Sequence, residues 1–181
     1  MSAAEPRIVL VVGVPGAGKT TVARALAERL PRSACVEGDL VQHHFTVSGL
    51  VPPGGSPQEE ADRQLRLRWT NCALLARTFW SYGFTAVVEH AASRREWVDR
   101  FVAETSPAPL SLVVLAPPLE VALQRDRDRG TKQVAEQFRH MDAELRRELA
   151  GVGWWLDTAG QDVAATVDAV LSTGLDAGRL R

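Results

Sequence analysis

One octapeptide constrains this chain more than any other feature. Gly13-Val14-Pro15-Gly16-Ala17-Gly18-Lys19-Thr20 satisfies G-x-x-x-x-G-K-[ST] in full, directly after the aliphatic run Ile8–Val12. An unbroken run of that kind reads as a strand buried on both faces, the kind that belongs to a parallel sheet. Lys19–Leu30 then reads as a helix with Val22, Leu26 and Leu30 on one face, stopped by Pro31. Strand, glycine-rich turn and helix in that order make a phosphate cradle. Backbone N–H groups curl inward around phosphate oxygens, and the helix N-terminus adds its positive end. Gly13, Pro15, Gly16, Ala17, Gly18, Lys19, Thr20 and Thr21 are therefore expected to hold a nucleoside triphosphate, ATP or GTP. Lys19 would reach the β and γ phosphates and the Thr20 hydroxyl would meet Mg²⁺.

The rest of the chain repeats the alternation. Ala34–Glu37, Thr85–Glu89, Leu110–Leu115 and Trp154–Leu156 read as further strands. Helices are predicted over Gln58–Tyr82, from Ser93 to about Thr105, from Pro117-Pro118 to Arg129, over Val134–Leu149, and through Val163, Val167 and Val170. Ser93 with Glu96 reads as a capping box. Residues 46–57, rich in Gly, Pro and Ser, read as a loop. Strands alternating with helices predict an α/β fold with a parallel sheet and helices on both faces. With 181 residues and no linker, one domain over 1–181 is expected.

Composition narrows the class. Apolar residues make up 45% and charged residues 24%, which excludes a disordered chain or a disulfide scaffold. A formal net charge of −1 argues against a protein that wraps nucleic acid. No apolar run is long enough to span a membrane, and the start lacks the pattern of a signal peptide. A cytoplasmic location is the expectation, with Cys35 and Cys72 reduced and buried.

Among proteins with this cradle, a GTP switch should carry N-K-x-D and D-x-x-G, and a motor a strand ending in Asp-Glu. Neither pattern is in place, which leaves a small kinase. Asp39, in Val36-Glu37-Gly38-Asp39, lies at the carboxyl end of the second strand, where α/β sheets place their ligands. It is the candidate to accept or align an acceptor hydroxyl proton, alongside a role as helix N-cap. Glu89, ending the third strand, points to the same crevice as a candidate for a Mg²⁺-bound water or a substrate group. A carboxylate beside Asp39 should also raise one of the two pKa values. His90 is its neighbour and a substrate candidate. Arg125-Asp126-Arg127-Asp128-Arg129-Gly130, followed by Lys132, reads as a cation-bearing lid over about 125–140, with Arg125 and Arg129 one turn apart on one face.

These residues resemble the P-loop small-molecule kinases of the nucleoside-monophosphate-kinase-like fold. By pattern the chain is most similar to chloramphenicol phosphotransferase-like enzymes, with zeta-toxin and gluconate-kinase types more distant. Glu37-Gly38-Asp39 resembles the D-G-D after the second strand of gluconate and adenylylsulfate kinases, with Glu37 in place of the first Asp. The resemblance implies a five-stranded parallel sheet in the order 2-3-1-4-5. It implies that about Asp157–Gly160, including Thr158, border the nucleotide base. It also implies catalytic roles for Lys19, Asp39 and the lid arginines, with Arg125 on the nucleotide. A Walker-B Asp is absent from the third strand, where Glu89 stands.

The acceptor pocket is expected under a loop and helix over about 43–70. His43 and His44 would hydrogen-bond an acceptor, and Phe45, Leu50 and Val51 would make the pocket partly apolar. Arg63 and Arg66 read as a solvated helix face. An apolar pocket suits an uncharged hydroxylated molecule, and the resemblance points to a natural-product antibiotic, the capuramycin class of nucleoside antibiotics included. The rival readings are a metabolic or nucleotide-sugar kinase, zeta-toxin action included, and a nucleotide-binding regulatory module. A monomer or a homodimer fits equally.

Overall fold

The computed structural model describes residues 5–130 and 133–181. Its frame is one five-stranded parallel sheet in the order β2-β3-β1-β4-β5. The strands are β1 (Ile8–Val12), β2 (Ser33–Glu37), β3 (Thr85–His90), β4 (Leu110–Leu115) and β5 (Trp154–Leu156). Every residue of β1, β3 and β4 is buried, as their aliphatic runs require. The crossovers are α1 (Lys19–Arg29), α2 (Gly38–Phe45), α3 (Gln58–Ser81), α4 (Arg95–Glu104), α5 (Leu119–Asp128) and α6 (His140–Glu148). α7 (Val163–Ala169) runs through a π-helical turn, Val170–Gly174, into the short α8 (Leu175–Ala177).

Register puts the functional ends together. Val12 of β1 pairs with His90 of β3, and Glu37 of β2 pairs with Glu89. The carboxyl ends of the three neighbouring strands therefore open onto one crevice, with the cradle of β1 at its centre.

Four local features differ from the sequence reading. The capping box does not form: Arg94 is the N-cap of α4, the Ser93 hydroxyl donates to Glu144, and Glu96 pairs with Arg94 instead. The helix expected from Val134 is regular only from His140. Before it, one Asp126 oxygen accepts the amides of Val134 (2.7 Å) and Ala135 (2.8 Å), and the chain winds in turns. Asp39 is not an N-cap but the second residue of α2, after Gly38. The C-terminal segment folds back on the sheet: Leu180 N donates to Leu110 O (2.9 Å) and Arg181 Nη1 to Val102 O (2.7 Å). Nothing in the hydrophobic periodicity marks that return. Both cysteines are free thiols; Cys72 is buried and Cys35 half-buried. No described helix is long and apolar enough to cross a membrane.

Candidate active site

The cradle is wound by backbone. Gly16 sits at φ 82°, and a Cβ there would lie 2.1 Å from the carbonyl oxygen of Ala122, so both the turn and its contact with α5 require glycine. Lys19 opens α1, is buried, and donates from Nζ to Val14 O at 3.0 Å, across its own loop. Burial lowers its pKa, while Glu89 and then Asp39 hold it up. Thr20 is exposed at the mouth of the loop.

From this cradle one cleft of about 820 Å³ runs outward. It brings together Pro15, Gly16, Gly18, Lys19, Thr20, Asp39, His43, Glu89, His90 and Arg129 from among the sequence candidates. Gly13 and Ala17 are buried behind the cradle, and Thr21 lies on the exposed side of α1. Phe45 is 67% exposed at the end of α2, away from the lining, and neither Leu50 nor Val51 lines the cleft. Prolines 52 and 53 and glycines 54 and 55 of the same loop do. Arg125 and Arg129 part company. Arg125 donates from Nη1 to Thr158 Oγ1 (2.9 Å) and from Nη2 to Thr158 O (2.7 Å), fastening the β5–α7 loop, whereas Arg129 borders the cleft. Lys132 lies outside the described residues.

Asp39 faces the cleft with 63% of its side chain exposed. Arg68 of α3 grips it: Nη1 donates to Asp39 Oδ1 at 2.8 Å and to Gln42 Oε1 at 3.1 Å. Arg68 itself is 5% exposed, and its Nε has no partner among the described residues. Burial lowers its pKa and Asp39 holds it up. Sequence reading missed Arg68, although the signal was there. It lies three residues after Leu65 and four before Cys72, so it stands inside the apolar stripe of α3 rather than on the solvated face of Arg63 and Arg66. An arginine on a buried stripe needs a carboxylate partner.

Glu89 is buried, and burial raises its pKa; Lys19 opposes, and Asp39 adds to the rise. Desolvation thus outweighs the neighbouring carboxylate that the sequence suggested as the cause. His90 is 1% exposed. Its Nδ1 stands 3.0 Å from Ala91 O, so that nitrogen carries the proton, and Nε2 has no partner among the described residues. Burial pushes its pKa well below the ordinary value, and the Arg68 charge adds to the fall. A Cβ at position 38 would lie 2.7 Å from the His90 ring, so only glycine lets α2 start there.

The outer half of the cleft is aromatic. His90 stacks on Trp69 with ring centres 3.7 Å apart, and Trp69 lies nearly parallel to Trp97 at 5.9 Å and 5°. Phe138 and Met141 line the side formed by residues 134–144. Charge there is nearly balanced: the acceptor side carries five carboxylates, Asp39, Asp62, Glu89, Glu96 and Glu144, against four arginines, Arg66, Arg68, Arg94 and Arg100.

Among the described residues no group of three or more His, Cys, Asp or Glu side chains could hold a metal ion. Thr20 and Glu89, the two candidates for Mg²⁺ and its water shell, both line the cleft.

The model of the AAA_33 family, an AAA domain, matches residues 8–150. No curated protein matches the chain. Among solved structures, an unliganded sugar kinase from Janibacter sp. HTCC2649 is similar with a TM-score of 0.72 and 23% identity, over 95% of each chain. The Deinococcus radiodurans tunicamycin resistance protein gives 0.65 and 22%, over 92% of this chain and 94% of that one. Shikimate kinase from Acinetobacter baumannii, in complex with shikimate, gives 0.65 and 23%, over 94% of each. The chain has the fold of the P-loop kinases, with the strand order that the family resemblance implies, and it belongs to the AAA_33 family.

Proposed function

We propose that the protein is an O-phosphotransferase. It moves the γ-phosphoryl group of ATP or GTP to a hydroxyl of an uncharged small molecule. The observation that carries this reading is the pairing within one cleft of a phosphate cradle and a cleft-facing carboxylate, Asp39, fastened by a buried arginine. A switch or motor has no need of such a carboxylate beside a second chamber.

In the reaction the acceptor oxygen attacks the γ-phosphorus in line. The bond from that phosphorus to the β–γ bridging oxygen breaks, and the nucleoside diphosphate leaves with the electron pair. Asp39 orients the acceptor hydroxyl and takes its proton as the new P–O bond forms. Arg68 holds the Asp39 carboxylate in place. Lys19 lies against the β and γ phosphates, and Arg129 brings a second cation to the migrating group. Mg²⁺, held by Thr20 and the phosphates, would neutralise charge on the β and γ oxygens. Thr158 is itself buried and held by Arg125, and the loop it anchors after β5 borders the base.

For the acceptor, the nearly balanced charge and aromatic lining of the outer cleft support an uncharged, partly apolar molecule. We take a natural-product antibiotic as the acceptor class, with phosphorylation as self-protection. The neighbour named as a tunicamycin resistance protein agrees with that choice.

The test is a coupled nucleotide-consumption assay with Mg²⁺, ATP or GTP and a panel of hydroxylated antibiotics, nucleosides and sugars, with mass spectrometry for an added phosphate. Asp39→Asn should lower kcat roughly 10²–10⁴-fold while leaving nucleotide affinity within about twofold. A binding module would be indifferent to the substitution, and that result would remove the kinase reading.

A further inference from the structure

The row of rings in the outer cleft has a direction. It starts at His90 on β3, passes through Trp69 on α3, and ends at Trp97 on α4. His90 and Trp69 are both 1% exposed. Trp97 is half-buried, and it lines the cleft. Trp69 lies parallel to it at 5.9 Å, and Trp97 contributes its own surface to the cleft. Phe138 approaches from the other side: its ring lies within 3.7 Å of where a Cβ on Gly54 would stand, so the 52–55 loop and the 134–144 segment meet over the chamber.

The cations flanking Trp97 are already engaged. Arg94, three residues before it, donates to Glu144 at 3.1 Å and pairs with Glu96 at 3.6 Å. Arg100, three residues after it, donates to Glu104 at 2.7 Å. An anionic group beside Trp97 would have to displace a carboxylate already in place.

We infer that Trp97 is the platform of the acceptor subsite and that the acceptor is a cyclic, uncharged molecule, whose ring lies flat on the indole and whose hydroxyl reaches Asp39. The inference rests on the phosphotransferase reading and sharpens it. Open-chain polyols lack the flat face that an indole stacks against. Carboxylated and phosphorylated acceptors would compete with Glu96, Glu144 and Glu104 for the two arginines beside Trp97. Two neutral ring chemistries share the required shape, a saturated sugar ring and a planar nucleobase, and the assay separates them.

The experiment uses the full chain with Mg²⁺ and ATP or GTP. Five acceptors are offered: methyl α-D-glucopyranoside and uridine as neutral rings, D-sorbitol as a neutral open chain, and shikimate and gluconate as acids. Phosphorylated product is read by mass spectrometry. Product is expected from one or both neutral rings and from none of the other three. For the best acceptor, Trp97→Ala should raise acceptor KM on the order of tenfold, the scale of one lost ring stack. Trp97→Phe should restore it to within about threefold, and nucleotide KM should stay within twofold in both variants. Circular dichroism checks that each variant is folded. Efficient phosphorylation of sorbitol, shikimate or gluconate would overturn the inference and leave the kinase reading standing. So would an unchanged acceptor KM in Trp97→Ala, or turnover of no neutral ring. The kinase reading falls separately, if Asp39→Asn leaves nucleotide turnover untouched.

Discussion

The two halves of the cleft are built by different means. The nucleotide half comes from one contiguous stretch, shaped by backbone: Gly16 fixes the turn and Lys19 folds back on Val14 of its own loop. The acceptor half is assembled from α2, α3, β3 and α4, with the 52–55 loop and the 134–144 segment across from them. Its central ion pair, Arg68 with Asp39, joins residues 29 apart. Local backbone geometry makes a site that any carrier of the motif shares. Long-range side-chain pairing makes a site that can change from one protein to the next without disturbing the first. If this division is real, substitutions in one half should leave the other's affinity alone.

The largest expected effect is in the cradle. Lys19→Met keeps the length and apolar stem of the side chain but removes the charge on the phosphates. Turnover should fall on the order of 10³-fold, with nucleotide affinity lost as well. Steady-state kinetics and nucleotide titration measure both. Next comes Arg68→Met. Asp39 then loses the group that orients it, and acceptor kcat should fall on the order of 10²-fold with nucleotide affinity within about twofold. A parallel loss of nucleotide affinity would show that the two halves are coupled through Lys19, whose charge Glu89 and Asp39 support.

What the sequence disclosed follows the same line. The cradle, the alternation of strands and helices, and Asp39 just after β2 were legible, because each depends on a local pattern: a motif, an aliphatic run, a strand end; the strand order came from the family resemblance. Arg68, Trp69 and Trp97 were harder to read. Their role depends on α3 and α4 lying side by side, which periodicity does not state. Trp69 is a core residue of α3, 1% exposed, and lies parallel to Trp97. Phe45 was misplaced for the converse reason. A large apolar residue near a binding loop reads as lining, yet the end of α2 turns it to solvent. The turns before α6 were hidden because Asp126, which caps them, sits on a different helix.

A smaller effect sharpens the boundary on the nucleotide side. Arg125 was expected to share a face with Arg129, but it fastens Thr158 with two hydrogen bonds. Hydrogen bonds from a charged group are each worth about 1.5–3 kcal/mol. Arg125→Gln would free the loop after β5, and nucleotide Kd should rise on the order of tenfold by calorimetry. Acceptor KM should not move. A fall in kcat with nucleotide Kd unchanged would instead place Arg125 on the transferring phosphoryl group, beside Arg129.

The smallest expected effect separates the halves by pH. The acceptor half buries His90 as a neutral ring, with a pKa well below the ordinary 6.5. Above pH 6.5 the imidazole is neutral in both folded and unfolded chains, and its contribution to stability is fully present. As pH falls below 6.5 the unfolded chain takes up a proton that the folded chain refuses. Stability is then lost at up to about 1.4 kcal/mol per pH unit until the folded-state value is reached. Glu89 acts in the opposite sense. Its pKa is raised from 4.5, so its contribution is fully present below 4.5 and is lost as pH rises through the raised value. In mild acid the two groups offset each other. Glu89→Gln should therefore steepen the loss of stability on acidification. His90→Phe, which keeps a ring against Trp69 and deletes the titration, should flatten it between pH 6.5 and 5. Urea midpoints measured across that range decide the matter: an unchanged slope in His90→Phe would mean that the acid sensitivity arises outside the acceptor half.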